Sequence, residues 1–509
     1  MNRQIRVLAI GSLCLLLALM GNITYVQYFK QSAYNSKAGN ARVSLEALKR
    51  QRGEILAGPM VLAKSIPSKD GFNFLRVYGN KVDPKYAANT AAEYAPVTGY
   101  VYPTLSSNWG IELSQDAFLS GTSDNLFIDR VSDLLNNTVP QGGNIELTID
   151  PKVQDAAYAG LTDPRLGSNV RGAAVAIDPT TGKILAMASV PSYDPNGVAS
   201  HNSAAANSAY AQIKQQGSLL NRGAQNPLFP GSTFKLVTSA AAIQDLGMTP
   251  QSMVNGNSTT TIQGTNRKTV NENGFSCGQL NQPQVTFMQA LDYSCNVAFA
   301  EVGAQLSADQ LTSMANAFGF NSNPFTDVPG SVASVYPNEP DKALRALSAY
   351  GQLNVLATPL QMAMVAAAIG NHGVLKRPYL INRLTSSTLD VVSTTQQSVL
   401  SNPINRSTAD QLTQMMVDVV NHGTGTKAQL YMNGQQVSVA GKTGTAETGT
   451  GGSPYAWFVS FGPSANAKIA IAVLVESSST VKDNVAGGAL CAPIAKAMMQ
   501  AYLSETGTQ

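Results

Sequence analysis

Pro230-Gly231-Ser232-Thr233-Phe234-Lys235 opens a stretch that continues as Leu-Val-Thr-Ser-Ala-Ala-Ala-Ile-Gln-Asp-Leu and stops at Gly247. The first two residues break regular structure and the later apolar residues are three or four apart, which predicts a helix from Ser232 to Gly247. Ser232 and Lys235 then share one helical face. A lysine in a water-poor cleft beside other cations loses its charge and can deprotonate a serine hydroxyl. The pair is therefore a candidate nucleophile and base.

The spacing of this pair is a weak signal by itself. Ser479-Thr480-Val481-Lys482 repeats it, although that segment follows a strand-like run and opens no obvious helix. A second short motif, Ser294-Cys295-Asn296, lies between two helical patterns and is expected on the loop that joins them. A hydroxyl there can relay a proton, and the amide of Asn296 offers a donor and an acceptor to a peptide substrate.

A third motif, Lys442-Thr443-Gly444-Thr445, ends a strand pattern that begins at Gln436. A fixed cation and two hydroxyls on a strand can hold a carboxylate, and Gly444 allows a substrate backbone to approach closely. Extended peptides commonly bind alongside such a strand. A phosphate-binding loop is rejected, because its first glycine is replaced by Gln436 and no helix follows. A solvated strand lysine is the remaining alternative for Lys442.

Length and composition restrict the class of protein. A chain of 509 residues is long enough for two or three domains, and 44% hydrophobic with 13% charged residues indicates a folded protein. The net charge of +3 gives no reason to expect a nucleic-acid partner. The three histidines are far apart in sequence and lack a Cys/His cluster, so neither a metal site nor a cofactor is expected.

Residues 7–29 carry no charge and are mostly apolar. As a helix this span would measure roughly 34 Å, enough to cross a bilayer. Arg3 and Arg6 precede it, so residues 1–6 are predicted to stay in the cytoplasm and the remainder to lie outside the cell membrane. A cleaved signal peptide is the alternative, but no small-residue cleavage site follows Met20. We expect a single-pass anchor.

Export would permit a disulfide. Cys14 lies in the predicted span, which leaves Cys277, Cys295 and Cys491 with three possible pairings. The pair Cys277–Cys295 is favoured because one loop could bring the two together. Three separate reduced thiols are the alternative.

Residues 30–140 show no nucleophile paired with a base, and they are predicted to form a pedestal or interaction domain. A segment rich in turn formers, 136–144, is interpreted as a hinge before a domain that spans residues 141–509. Five strand patterns in that domain, two early and three late, predict one antiparallel sheet, with helical patterns between them and at residues 489–503. The strand patterns are residues 173–177, 183–189, 436–445, 455–461 and 468–475.

Together the three motifs, in this order, resemble those of penicillin-binding proteins and class A β-lactamases. The resemblance extends along the chain to the class B penicillin-binding proteins, and most to their smaller actinobacterial members of the penicillin-binding protein A type. The further segments that carry it are Arg52-Gly53-Glu54-Ile55, Gly110-Ile111-Glu112 with Leu119-Ser120-Gly121, residues 143–150, and Asn221-Arg222. One departure is Leu56-Ala57-Gly58-Pro59, where the family has Asp-Arg-Asn-Gly.

The resemblance implies an α/β fold of the penicillin-binding and β-lactamase-like type. Its transpeptidase domain has a five-stranded antiparallel sheet flanked by helices plus a helical subdomain, and it follows an α+β pedestal and one transmembrane helix. The implied activity is a peptidoglycan D,D-transpeptidase, in which Ser232 attacks the D-Ala-D-Ala carbonyl of a stem peptide. β-Lactams are then expected to acylate the same hydroxyl.

The resemblance also implies a role for each motif residue. Lys235 would be the general base, Ser294 would relay the proton, and Lys442 would adjust the charge around it. Asn296 would bind the substrate's peptide amide. Thr443 and Thr445 would hold the terminal carboxylate beside Gly444, and the backbone N–H groups of Ser232 and Thr445 would form the oxyanion hole.

The expected partners are peptidoglycan stem peptides, β-lactams as covalent inhibitors, the membrane and a polytopic lipid-II polymerase. A D,D-carboxypeptidase or a β-lactamase would use the same residues with water as acceptor, and a non-catalytic receptor or scaffold could keep the pocket. The anchor and pedestal favour a cross-linking enzyme. Residues 30–140 are too few for an additional glycosyltransferase domain.

Overall fold

A computed structural model of the chain describes residues 3–30, 34, 48–70, 74–103, 107–136, 141–167, 169–446, 454–476 and 486–505. Three sequence features lie at least partly outside these ranges. They are residues 137–140 of the expected hinge, the second Ser-x-x-Lys segment, 479–482, and most of the loop between the strand patterns that end at 445 and begin at 455.

The strands of the described residues are, in chain order, β1 (Ile55–Ala57), β2 (Met60–Pro67), β3 (Phe74–Tyr78), β4 (Tyr100–Tyr102), β5 (Ser107–Trp109), β6 (Asn144–Leu147), β7 (Arg171–Ile177), β8 (Ile184–Val190), β9 (Met253–Asn255), β10 (Thr259–Thr261), β11 (Lys268–Val270), β12 (Gln284–Thr286), β13 (Leu375–Lys376), β14 (Ile381–Thr385), β15 (Val391–Thr394), β16 (Val399–Ser401), β17 (Leu430–Met432), β18 (Gln435–Val437), β19 (Ala440–Ala446), β20 (Tyr455–Gly462) and β21 (Ile469–Glu476).

The α-helices are α1 (Arg3–Thr24), α2 (Thr90–Thr98), α3 (Ile111–Ser114), α4 (Asp116–Leu119), α5 (Phe127–Asn136), α6 (Pro151–Leu161), α7 (Pro195–Val198), α8 (Ser203–Gln216), α9 (Arg222–Gln225), α10 (Lys235–Leu246), α11 (Phe287–Asp292), α12 (Asn296–Gln305), α13 (Ala308–Ala317), α14 (Lys342–Ser348), α15 (Pro359–Gly370), α16 (Arg406–Asn421) and α17 (Gly487–Glu505). Short 3-10 turns occur between them, and the one at Gly231–Phe234 belongs to the candidate site.

The N-terminal helix continues through a π-helical turn to Phe29 and is long and apolar enough to cross a membrane. Its 27 residues would span roughly 40 Å at the helical rise. No residue of α1 is buried against the rest of the described chain. A lipid environment would remove this apolar surface from water.

A five-stranded antiparallel sheet, in the order β19-β20-β21-β7-β8, confirms the sheet expected from the sequence. Its strands are buried almost throughout, because α6 and α17 pack on one face and α15 packs on the other. All twelve residues of α15 are buried. The first and last parts of the transpeptidase-like region therefore meet in one sheet, with the helical insertion between them.

One of the five predicted strands is wrong at its start. The sequence assigned residues 436–445 to a single strand, but Gln435–Val437 pairs with Leu430–Met432 and only Ala440–Ala446 enters the main sheet. The missed hairpin turns at Asn433-Gly434, whose φ angles are 51° and 80°. Asn-Gly is the residue pair that favours such a two-residue turn.

A second sheet, in the order β15-β14-β6-β1-β2-β3, contains residues from both sides of position 140. Strand β6 pairs in parallel with β1 and antiparallel with β14. The division of the chain at residues 140 and 141 therefore stays a prediction. The expected hinge stays a prediction as well. In its second half Gly142 and Gly143 donate backbone hydrogen bonds to the carbonyl oxygens of Gln51 and Phe118, and a side chain at either glycine would collide with its neighbours.

The pedestal, meaning the described residues between 48 and 136, has a buried ionic cluster. The guanidinium of Arg52 donates to Glu112 Oε2 at 2.8 and 3.0 Å, and Arg76 Nε donates to Glu112 Oε1 at 2.6 Å. Arg52 also donates to the half-exposed Asp116 at 2.7 Å. Although burial opposes ionisation, Arg76 and Arg52 hold the pKa of Glu112 below its usual value. The segments around Arg52 and Glu112, which carry part of the family resemblance, are therefore held together by ion pairs inside the pedestal.

Candidate active site

The candidate nucleophile lies on a 3-10 turn that leads into a helix. Gly231–Phe234 forms this turn, and α10 starts at Lys235 rather than at Ser232 as predicted. The helix ends at Leu246, and the next residue, Gly247, is left-handed, as its position after a helix favours. Ser232 is half-buried, so its hydroxyl reaches the cleft from the start of the helix.

The Nζ atom of Lys235 lies at the centre of the site. Its Nζ lies 3.0 Å from Ser232 Oγ, 3.1 Å from Ser294 Oγ, 2.6 Å from the Ser294 carbonyl oxygen and 2.8 Å from Asn296 Oδ1. The side chain is fully buried, and the ring of Phe299 covers it with its centroid 5.3 Å from Nζ. The structure therefore brings the first two motifs together around one nitrogen.

Burial lowers the pKa of Lys235 well below its usual value, and the nearby Lys442 charge lowers it further against an opposing effect of Glu272. A neutral amine has two N–H donors and one lone pair. Two of its neighbours, the Ser294 carbonyl oxygen and Asn296 Oδ1, can only accept hydrogen bonds. When the amine donates to these two, its lone pair is free to accept the proton of a serine hydroxyl.

Lys442 approaches Ser294 from the sheet. Its Nζ donates to Ser294 Oγ at 2.9 Å and to the Thr443 carbonyl oxygen at 2.9 Å. Burial lowers the pKa of Lys442 to about 7, although Glu272 and Asp292 both act to raise it. The Ser294 hydroxyl therefore lies between the amines of two buried lysines.

Ser294 occupies the turn between α11 and α12, as the sequence predicted. Its φ of 59° is in the left-handed region, which costs energy for a residue with a side chain. The next residue, Cys295, forms a disulfide with Cys277, with 5.4 Å between their Cα atoms. This is the pairing that the sequence favoured, while Cys491 is a buried free thiol. The disulfide fixes the turn immediately beside the serine.

Strand β19 is the edge of the five-stranded sheet and forms the other wall of the site. Lys442 and Gly444 lie on one face of the strand, since they are two residues apart. A Cβ on Gly444 would lie 2.9 Å from Thr233 Cγ2 and 3.0 Å from the Pro230 carbonyl oxygen. The missing side chain at Gly444 therefore makes room for the segment that carries Ser232, rather than for substrate on that face.

Thr443 and Thr445 point away from this packed face. Thr443 Oγ1 lies 2.6 Å from the Oγ1 of Thr424, and Thr445 is half-buried at the cleft. The sequence analysis missed Thr424, because it follows α16 and reaches the site only through tertiary packing. It also missed Asp292 and Phe299, which lie close to the Ser294-Cys295-Asn296 motif. Nothing in the sequence distinguishes these two residues from ordinary core residues.

In the described ranges no group of three or more His, Cys, Asp or Glu residues is placed to hold a metal ion. What the arrangement does provide is a half-buried hydroxyl, two buried amines, a second hydroxyl between them and the edge strand of a sheet. These are the parts that an acyl-transfer enzyme needs for nucleophile activation, proton relay and peptide binding.

Known proteins resemble this chain along nearly its whole length. Residues 172–500 match the penicillin binding protein transpeptidase domain, and residues 52–145 match the penicillin binding protein A dimerisation domain. The chain is 38% identical over 513 residues to the peptidoglycan D,D-transpeptidase PbpA of Mycolicibacterium smegmatis, covering 99% of this chain and all of the relative.

The chain belongs to the penicillin-binding protein transpeptidase family.

A Mycobacterium tuberculosis relative, also named peptidoglycan D,D-transpeptidase PbpA, is 37% identical over 509 residues. The match covers 99% of each of the two chains. The structure of penicillin-binding protein A from M. tuberculosis as a ceftriaxone acyl-enzyme superposes with a TM-score of 0.82 at 36% identity, over 90% of this chain and all of the other. The resemblance, the fold class and the enzyme class inferred from the sequence, a serine-type penicillin-binding transpeptidase, are thereby confirmed.

Proposed function

We propose that this penicillin-binding transpeptidase cross-links peptidoglycan stem peptides through an acyl-enzyme on Ser232. The observation that carries the proposal is the 3.0 Å contact between Ser232 Oγ and the amine of Lys235, which is fully buried and has a strongly lowered pKa. A neutral amine at hydrogen-bond distance is the base that a serine nucleophile requires. The relatives named D,D-transpeptidases and the β-lactam acyl-enzyme structure support the same reaction.

In the acylation step, Ser232 Oγ attacks the carbonyl carbon of the D-Ala-D-Ala peptide bond while its proton passes to Lys235 Nζ. The tetrahedral intermediate collapses when the C–N bond breaks and the leaving D-Ala amine takes a proton. Ser294 Oγ lies 3.1 Å from Lys235 Nζ and 2.9 Å from Lys442 Nζ, so it can carry the proton from the base to the leaving amine. Lys442 then holds the Ser294 hydroxyl in place and adjusts the local charge.

Substrate would lie along β19, the edge strand of the sheet. Asn296 Oδ1 accepts from Lys235, which leaves its two N–H donors for a peptide carbonyl of the substrate. Thr443 and Thr445 would bind the terminal carboxylate, and the N–H groups of Ser232 and Thr445 would stabilise the oxyanion. Each oxyanion-hole donor is typically worth about 3–4 kcal/mol of transition-state stabilisation.

The second half-reaction reverses these roles. The amine of another stem peptide attacks the acyl carbonyl and its proton passes to Lys235 Nζ, which returns a proton to Ser232 Oγ as the acyl C–O bond breaks. The apolar helix Arg3–Phe29 would anchor the protein, with the pedestal and catalytic domain on the extracytoplasmic side where peptidoglycan is assembled. A polytopic lipid-II polymerase that supplies uncross-linked strands is the proposed protein partner.

The test uses the full-length protein in detergent, with fluorescent penicillin labelling and with lipid-linked peptidoglycan precursor plus a polymerase. We expect labelling and cross-linked product, both lost in Ser232→Ala. The matched control is Ser479→Ala, which removes the serine of the second Ser-x-x-Lys segment and should leave both readouts unchanged.

The same assays separate the alternatives. Release of D-Ala without cross-linked product would indicate a carboxypeptidase, and rapid loss of the penicillin label would indicate a β-lactamase. Labelling that persists in Ser232→Ala would contradict the proposed nucleophile. A wild-type protein that neither binds penicillin nor forms product would instead support the scaffold alternative.

A further inference from the structure

Asp292 is a buried carboxyl group that the proposed mechanism does not use. It ends α11 and is 2% exposed, and its Oδ1 is buried without a hydrogen-bond donor among the described residues. Helix α11 packs against α16, and the carboxyl group of Asp418 on α16 is the charged neighbour that acts on Asp292. A hydrogen bond between two carboxyl groups requires a proton on one of them. The pair therefore holds one proton and one negative charge when this bond is formed.

The pair connects both walls of the cleft. Asp292 stands two residues before Ser294, and its carbonyl oxygen accepts hydrogen bonds from the backbone N–H of Thr424 at 3.1 Å and from Thr424 Oγ1 at 3.3 Å. Thr424 Oγ1 in turn lies 2.6 Å from Thr443 Oγ1 on β19. The end of α11 is thus joined to the Ser294 turn in sequence and to the carboxylate-binding threonine in space.

The surrounding groups place the proton on Asp292. Burial and the neighbouring Asp418 carboxyl raise the pKa of Asp292 to about 9. Burial acts to raise the pKa of Asp418 too, but hydrogen bonds from Asp292 and from His422 Nδ1, at 2.5 Å, hold it below its usual value. Asp418 is therefore the charged acceptor, with the acid of Asp292 on one side and the imidazole of His422 on the other.

The other charged groups near the pair lie on the opposite wall. Lys442 on β19 favours the ionised form of Asp292, and Glu272 faces Lys442 from a 3-10 turn. If Asp292 lost its proton, two carboxylates would oppose each other in a buried contact, which is strongly unfavourable. Separation of α11 from α16 would relieve the repulsion and would move the turn that carries Ser294.

We propose that the Asp292–Asp418 pair is a one-proton positioning clamp, which holds the Ser294 turn and the Thr424–Thr443 contact in their reactive arrangement. The inference rests on the roles proposed above for Ser294 and Thr443. Asp292 and Asp418 act through these residues, so they are positioning residues and not catalytic ones. The reaction then depends on the clamp keeping its proton.

The experiment measures the second-order rate constant of acylation by fluorescent penicillin, with the full-length protein in detergent, from acid to alkaline pH. For wild type we expect the rate constant to fall as pH rises through about 9, where Asp292 loses its proton. Asp292→Asn replaces the acid by an amide that still donates to Asp418 and leaves the net charge of the pair unchanged. It should acylate within about threefold of wild type at pH 7 and lack the alkaline fall.

Asp292→Ala removes the donor altogether and should lower the rate constant about tenfold at pH 7, so that only the isosteric amide rescues it. Asp410→Asn is the matched control, because it makes the same change on an exposed face of α16, where Asp410 contacts His372. Thermal unfolding of each variant separates lost folding from lost positioning.

The clamp is overturned if Asp292→Asn keeps the alkaline fall of wild type, or if it loses as much activity as Asp292→Ala. Equal activity of Asp292→Ala and wild type would also overturn it. If Asp292→Ala fails to fold, the pH profile of Asp292→Asn still decides. Every readout is a rate constant relative to that of wild type. If the proposed function is wrong, wild type itself will not be acylated, so this outcome is distinct from failure of the clamp proposal.

Discussion

The catalytic cleft and the pedestal each bury two basic side chains, but only the pedestal pairs them with a carboxylate. Arg52 and Arg76 share Glu112, which is fully buried between them. In the cleft, by contrast, no ion pair of Lys235 or Lys442 is formed with any residue that the structure describes; their nitrogens contact hydroxyl and carbonyl oxygens.

The difference in partners decides the protonation states. Glu112 and Asp116 outweigh the effect of burial and raise the pKa of Arg52, so the pedestal cluster keeps its charges. Burial without a paired carboxylate has the opposite effect on Lys235. A buried cation with a carboxylate joins elements of the fold, whereas a buried lysine without one loses its charge more readily, as the base proposed here must.

The largest expected effect comes from making the cleft base permanently charged. Lys235→Arg keeps a cation near Ser232 but cannot lose its proton at any accessible pH. Acylation by fluorescent penicillin should fall about 10⁴-fold, which corresponds to about 5.5 kcal/mol in activation free energy. Retention of more than a tenth of the wild-type rate would show that a neutral base is not required.

The reverse change removes the carboxylate that the two pedestal cations share. Glu112→Gln should lower the free energy of unfolding by about 3–5 kcal/mol, because buried Arg76 loses its counter-charge and Arg52 keeps only the half-exposed Asp116. Denaturant unfolding measures the loss, and the folded fraction should still acylate normally. Asp116→Asn is the control and should cost no more than about 1 kcal/mol, since Asp116 is half-exposed. Equal losses in the two variants would contradict a buried ionic cluster.

A smaller effect concerns the two lysines together. The Lys442 charge lowers the pKa of Lys235, so Lys442→Met should raise it. Below the pKa of Lys235 the base is protonated and inactive, and the acid limb of the acylation profile should therefore move to higher pH. The rate near pH 6 should fall about tenfold more than the rate near pH 9. The control is Lys427→Met, at an exposed position, which should leave the pH profile unchanged. An equal loss of rate at both pH values in Lys442→Met would contradict the effect of the Lys442 charge on the pKa of Lys235.

The smallest effect is expected where α2 of the pedestal meets α6. Burial and a hydrogen bond to Asp155 raise the pKa of Glu93 to about 9. The folded state then binds a proton that the unfolded chain releases above its ordinary pKa, so stability is full in acid and declines as pH rises toward 9. Glu93→Gln removes this decline, so its free energy of unfolding should exceed that of wild type by about 1 kcal/mol or more at pH 8 and should not exceed it at pH 4. A stabilisation independent of pH would contradict the assignment.

Sequence reasoning reached much of the site because each motif carries its chemistry within a few residues. The order of the three motifs predicted which side chains meet, and short apolar runs predicted the five strands of the sheet. The backbone at Ser294 and the helix start at Lys235 were not predictable in detail, because a 3-10 turn and a left-handed serine are imposed by packing around them.

The residues that the sequence analysis missed act over long separations. Thr424 reaches Thr443, and Asp292 reaches Asp418, only after α11 and α16 have packed together. In the pedestal the segments around Arg52 and Glu112 were noticed as a resemblance, yet their ion pair could not be inferred from spacing. The hairpin at Asn433-Gly434 is different: its local turn signal was in the sequence and was overlooked.

The most direct test of the contrast between cleft and pedestal is the protonation state of Lys235 itself. Lysine-selective isotope labelling and NMR titration of the full-length protein in detergent would follow its side-chain resonance, assigned by its absence in Lys235→Arg. The account predicts a midpoint well below the ordinary lysine value of about 10.4, so that the amine is neutral while the protein is active. A midpoint at or above that value would mean that the buried lysine stays charged, and would contradict its role as the base.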